Sequence, residues 1–127
     1  MEVRAWRSFG GWVIFVACVA TASAKPPKFA RVEVAGFHSE VGERCTAADI
    51  PLSDEQARIF FSRSRAVSSR TVHDDYDLLP CYLVGRMQFR GKPARWQLHL
   101  GGVAIVEQAR RTYYYVCDNC DAMFERK

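Results

Sequence analysis

The sequence predicts an α+β fold: one helix packed on an antiparallel β-meander of four to five strands, stapled by disulfides. Three observations carry that expectation. From Cys81 onward the apolar residues recur at every second position, the period of strands with one buried face. One stretch after Ser53 recurs instead at i, i+3, i+4 and i+7 behind a capping box, the mark of an amphipathic helix. Four cysteines, Cys45, Cys81, Cys117 and Cys120, follow an N-terminal export signal, and in an exported domain of this size an even set reads as two bridges.

The export signal is "MEVRAWRSFGGWVIFVACVATASA". Arg4 and Arg7 precede an apolar run from Trp12 to Ala22, and Ala22-Ser23-Ala24 forms a small-x-small cleavage site. The run falls short of the roughly 20 residues a bilayer-spanning helix needs, so cleavage after Ala24 is expected rather than a retained anchor. Cys18 raises the alternative of a lipoprotein cut just before that cysteine. The preceding Phe15-Val16-Ala17 lacks the usual Leu at the third position back, and a cut there leaves a very short apolar core. Removing residues 1–24 from the 127 leaves a single domain, residues 25–127, of 103 residues.

In order along that domain, "AKPPKF" is an extended lead-in restricted by its prolines. "FARVEVAGF" alternates Phe29, Arg31, Glu33 and Ala35 with Ala30, Val32, Val34 and Gly36, as a strand does. "HSEVGERCTAAD" is a polar loop. The helix follows in "IPLSDEQARIFFSRSRA", with Ser53 as N-cap, Gln56 completing the box, and Asp54 and Glu55 in the first turn. Arg63 and Arg65 complement its C-terminal end, and Ala57, Phe60, Phe61 and Ser64 form the stripe expected to face the sheet.

"VSSRTVHDDYDLLP" reads as a connection from helix to sheet. In "CYLVGRMQF", Cys81, Leu83, Gly85, Met87 and Phe89 face one way, and Tyr82, Val84, Arg86 and Gln88 the other. "RGKP" turns the chain, and "ARWQLHL" returns with Trp96, Leu98 and Leu100 inward and Arg95, Gln97 and His99 outward. Gly101-Gly102 marks the next reversal, "VAIVEQ" the next strand, "ARR" a turn and "TYYYVC" the last strand.

The four cysteines allow three pairings. Pairing Cys45 with Cys81 closes a loop around the helix and leaves Cys117 with Cys120, which is the favoured arrangement. Cys81 and Cys117 both stand at strand ends facing inward, which keeps the other pairings open. Asp118 is placed to cap a short helix through "NCDAMFE" with Cys120 in its first turn, where a thiolate would be stabilised. Asp118 and Asp121 beside the thiols act in the opposite sense. A thiol oxidoreductase using this CxxC is therefore the alternative function.

Several classes are disfavoured. Without Glu2, Arg4 and Arg7, the 18 basic and 14 acidic residues become 16 and 13, a net charge of +3, too modest for an obligate nucleic-acid binder. Nothing points to membrane binding after cleavage. His38, His73 and His99 are scattered without ligand spacing, so no metal site and no cofactor is expected. Asp74, Asp75 and Asp77 lack the pattern of a calcium loop. There is no GxSxG, HExxH or phosphate-binding glycine loop, and no catalytic residue is assigned. A small secreted hydrolase using His73 or His99 is a further alternative. What remains is the outward sheet face, where Tyr82, Arg86, Arg95, His99 and Tyr114 are residue types that anchor protein interfaces.

"LLPCYLVGRMQFRGKPARWQLHLGG" and "YYYVCDNC" resemble segments of small uncharacterised exported proteins of Gram-negative bacteria. The likeness covers the C-terminal half and implies a periplasmic, disulfide-forming setting without implying an activity. A compact stapled domain in that setting resembles periplasmic immunity or inhibitor proteins, which work by covering a toxin or an enzyme. The expectation is thus a periplasmic or secreted binding or inhibitor protein whose partner is another protein.

Overall fold

The computed structural model describes residues 25–124. The expected leader, with Cys18 and the cut after Ala24, lies outside them. Six strands form one antiparallel sheet: β1 (Phe29–Ser39), β2 (Arg65–Val67), β3 (Cys81–Phe89), β4 (Lys92–His99), β5 (Val103–Gln108) and β6 (Arg111–Val116), in the spatial order β1-β3-β4-β5-β6-β2. β3 to β6 are the expected meander, joined by short turns. β1 adds to its β3 side and β2 to its β6 side. Among the described residues, two α-helices, α1 (Asp54–Arg63) and α2 (Ser69–Asp75), pack on opposite faces. The fold is α+β, as the periodicity indicates, with one strand more than expected. Among the described residues no helix is long and apolar enough to cross a membrane.

The capping box forms as read. Ser53 accepts from the Gln56 backbone N–H, and Gln56 Oε1 accepts from the Ser53 N–H at 3.0 Å, satisfying two donors that a helix start leaves unpaired. Asp54 has a second task. Its Oδ1 accepts from the Val34 N–H at 2.7 Å, so the first helical residue caps the free edge of β1 and blunts it against strand addition.

Ala57, Phe60 and Phe61 are buried from α1, whereas Ser64 ends the helix and is half-buried. Arg65 belongs to β2 and not to the helix end, a correction to the expected boundary. The chain leaves helical geometry at Ser64, whose N–H bonds back to Phe61 O, and Arg65 pairs with Val116.

The inner face of the sheet meets α1 over an aromatic core. Phe61 lies 5.1 Å from Phe29 and 5.4 Å from Trp96, and Phe89 lies 4.9 Å from Tyr113, between ring centroids. Such tilted and edge-on pairs add to the burial of large apolar rings. Leu83, Met87, Leu98, Ala104 and Val106 complete the layer.

The segment read as a plain connection holds the last residue of β2 and all of α2. Ser68 caps α2 by accepting from the Thr71 N–H at 3.1 Å. Only Val72 is buried from this helix, against Val103 and Val116, with Val67, Tyr76 and Tyr114 around it. One apolar anchor leaves no helical stripe in the sequence, which is why periodicity misses the element. Asp74 and Asp75 are therefore the last turn of α2 and only Asp77 lies in the loop.

Both bridges of the favoured pairing are present. Cys45–Cys81 ties the loop after β1 to the start of β3 with Cα atoms 6.2 Å apart, and Cys117–Cys120 closes the tail after β6. Asp118 does not cap a helix. A short 3₁₀ turn spans Asp121–Phe124, after Cys120, and Asp118 instead accepts from Tyr76 Oη at 2.6 Å and Arg65 Nε at 2.8 Å. That three-way contact joins β2, the end of α2 and the tail.

Candidate functional site

The outer face of the sheet is built by the residues that alternate away from α1. Register arranges them in rows across the strands. One row runs Glu33, Arg86, Arg95, Glu107 and Thr112 over β1, β3, β4, β5 and β6. A second runs Gly36, Val84, Gln97, Ile105, Tyr114 and Val67. A third begins His38, Tyr82, His99 and Val103. α2 covers the corner holding Val103, Val116 and Tyr114 and leaves the first row open.

Tyr82, Arg86, Arg95, His99 and Tyr114 thus share one face, but they are not equivalent. Arg86 and Arg95 are exposed cross-strand partners. Tyr114 is half-buried against the cluster around Val72. His99 is only 4% exposed, so it supports the face without presenting a surface of its own. Its Nδ1 lies 2.7 Å from Leu79 O, its Nε2 3.1 Å from Gln97 Oε1, and its ring 4.5 Å from that of Tyr82. Burial lowers the His99 pKa below its ordinary value, opposed by the Leu79 carbonyl and Glu40. The buried ring is a fixed support beside its cross-strand partner Tyr82.

Around Arg86 and Arg95 the surface is concave. One groove of about 530 Å³ is lined by Arg86, Arg95, Glu107, Arg110, Arg111 and Thr112 among others. A second of about 510 Å³ shares Arg86, Arg95 and Glu107 and extends to Val84, Gln97 and Ala35. Among the described residues, no ion pair engages Arg86, Arg95, Arg110 or Arg111. Like charges directly opposite on neighbouring strands destabilise a sheet; the Arg86–Arg95 pair is such a contact, flanked in register by Glu33 and Glu107 on the outer strands of the row.

The sequence pattern places Arg110 and Arg111 only in a turn, together with Ala109. Their signal was available: continuing the alternation through "VEQ" sends Glu107 outward, and a two-residue reversal then brings Thr112 beside it with the arginines at the groove rim. The turn is narrow because Gln108 pairs with Arg111. Ala109 and Arg110 both have positive φ, 49° and 67°, as type I′ hairpins require. Gln108 Nε2 locks the turn to the β3–β4 hairpin, donating to Phe89 O and Lys92 O at 3.0 Å and to Pro93 O at 3.2 Å.

The other candidate chemistry lies elsewhere. Cys117 and Cys120 are bonded to each other and 4% and 1% exposed, within the inner core. His73 projects from α2 with its side chain 88% exposed, 3.1 Å from Asp74, on an element separate from buried His99. Among the described residues, no three of His, Cys, Asp and Glu gather where they could hold a metal ion.

No protein-family model matches the sequence, and neither a curated protein nor a solved structure is found to match it.

Proposed function

We propose that the chain is an exported, disulfide-stabilised binding or inhibitor protein that recognises another protein through the outer face of its sheet. The observation that carries this reading is the exposed cross-strand pair Arg86 and Arg95, which has no ion-pair partner among the described residues. A sheet that holds two like charges opposite one another is relieved when a partner brings carboxylates to them. The surface around them is a shallow open groove, suited to a macromolecular surface more than to an enclosed small ligand. Tyr82, supported by the His99 ring beside it, supplies a rigid aromatic contact at the rim of the same face. In the finer form of this proposal the partner is a toxin or an enzyme that the domain covers, in the manner of an immunity protein.

Burial of the Cys117–Cys120 bridge weighs against the oxidoreductase alternative, because thiol exchange needs access to sulfur. The reading is tested by using the tagged protein and its Arg86→Glu/Arg95→Glu variant as baits against periplasmic extract of the native host. One protein retained in stoichiometric amount by the wild type and lost by the variant, with unchanged circular dichroism, is expected. Recovery of no stoichiometric protein, or equal recovery by the variant, overturns it. If the recovered protein is an enzyme or toxin, added domain should abolish its activity.

A further inference from the structure

We infer that the groove between the Arg86–Arg95 pair and the Ala109–Arg110 turn receives an extended, carboxylate-bearing segment of the partner protein. This rests on the sheet-face reading and specifies what that face takes. Four arginines, Arg86, Arg95, Arg110 and Arg111, line the groove against the single carboxylate Glu107. Guanidinium forks match carboxylates in bidentate geometry, and none of these four has an ion-pair partner among the described residues.

The shape fits a chain. The two contiguous volumes lie along β3 to β6, three inter-strand spacings or about 14 Å, the length of about four extended residues. Val84 and Pro93 add apolar lining on either side of the Arg86–Arg95 pair. The rim is held in place. Ala109 and Arg110 keep left-handed backbone that asparagine and glycine adopt more easily, and the Gln108 amide pins their turn to the neighbouring hairpin. Arginine thus stands at a position whose backbone favours another residue.

Charge order discriminates among anions. Glu107 sits inside the groove and Glu33 flanks it, in the row Glu33, Arg86, Arg95, Glu107. A uniform polyanion, a nucleic acid or an anionic lipid surface, meets repulsion from both carboxylates. A peptide segment can place its carboxylates over Arg86 and Arg95 and set uncharged residues beside Glu33 and Glu107, so it meets less.

The probes are a ten-residue peptide alternating Glu with Val, its Gln-for-Glu counterpart, a ten-nucleotide oligothymidylate, and vesicles of three parts phosphatidylcholine to one part phosphatidylglycerol. Each is titrated into purified ¹⁵N-labelled protein. The Glu peptide is expected to shift the amide resonances of Arg86, Arg95 and residues 108–112, and the Gln peptide to leave them in place. Affinity for the Glu peptide should fall at least tenfold in Arg110→Ser/Arg111→Ser, whose turn keeps Gln108. Equal shifts from the Gln peptide, tighter binding of oligothymidylate or vesicles, or unchanged affinity in the variant overturns the inference. A captured partner whose binding survives Arg110→Ser/Arg111→Ser would sink this inference and leave the sheet-face reading standing. Intact Glu-peptide binding with no captured partner would overturn the sheet-face reading and the protein partner with it, leaving only the groove's preference for carboxylates.

Discussion

The Trp96 indole fills the space that a side chain on its cross-strand partner Gly85 would need. A Cβ at position 85 would overlap the ring and the Glu33 carbonyl oxygen. The indole Nε1 donates to Arg86 O at 3.0 Å, so the ring beneath the sheet also fixes the backbone that carries the outward arginine. Core and site meet at this contact.

Gly85→Ala is therefore expected to destabilise the fold by about 3 kcal/mol, at the upper end of overpacking costs, because one obstacle is backbone and the other an aromatic ring enclosed on all sides. Urea unfolding followed by tryptophan fluorescence checks it. A midpoint equal to wild type would mean that the ring has another place to go.

Reduction of the two bridges should not be equivalent. Cys45–Cys81 spans 36 residues and Cys117–Cys120 spans three. Loop-closure entropy makes the first worth about 4 kcal/mol and the second about 1.6 kcal/mol. Cys45→Ser/Cys81→Ser should lower the denaturation midpoint well beyond Cys117→Ser/Cys120→Ser. The opposite ranking would show that tail packing outweighs chain entropy.

His99 ties stability to pH near neutrality. Its folded pKa lies below the ordinary 6.5 because burial disfavours the charged ring. Between the two values the unfolded chain binds more protons, so stability is full above 6.5 and declines as pH falls through it toward the folded pKa. A thermal melt series from pH 8 to pH 5 should show this decline in the wild type and a flatter profile in His99→Gln.

Asp118 acts at lower pH. The Tyr76 hydroxyl first, and then Arg65, hold its pKa below the ordinary 3.8. The folded value is depressed, so the stabilisation is complete above 3.8 and disappears as pH drops through that value to the folded pKa. Asp118→Asn should lose less stability than the wild type between pH 5 and pH 2. Because more than half of the side chain meets solvent, the effect should shrink in high salt. Parallel acid titrations of the two proteins would contradict the contact.

The β5–β6 turn should accept a better sequence for its backbone. Ala109→Asn/Arg110→Gly places residues that favour positive φ where 49° and 67° are required, and should raise stability by about 1–2 kcal/mol. Chemical denaturation measures the gain. An unchanged or lower midpoint would show that Ala109 and Arg110 make compensating contacts.

Local signals were legible wherever one residue pattern served one purpose. The capping box at Ser53 and Gln56, the alternation in β3 and β4 and the inward Phe60 and Phe61 all depend on neighbours a few residues away. β2 and α2 were not, since a three-residue strand and a helix with one buried side chain have no period to detect. Arg65 was assigned to a helix end because both roles need a cation near Ser64, and its partner Asp118 is 53 residues distant.

The outward position of Arg86, Arg95, Tyr82, His99 and Tyr114 followed from alternation alone, because a pleated strand sends every second residue to the same side. Which of them meets solvent did not. Burial of His99 depends on Leu79 and Tyr82 closing over it, and the groove depends on a turn from β5 to β6 arriving beside the β3–β4 hairpin. The amino-acid order by itself determined the class of fold, the four sulfurs and the charged side chains of the sheet face. Only the packing of distant segments decided the pairing of those sulfurs, the six-strand order and the gathering of four arginines at one groove, since each requires bringing together parts of the chain whose contact no local pattern encodes.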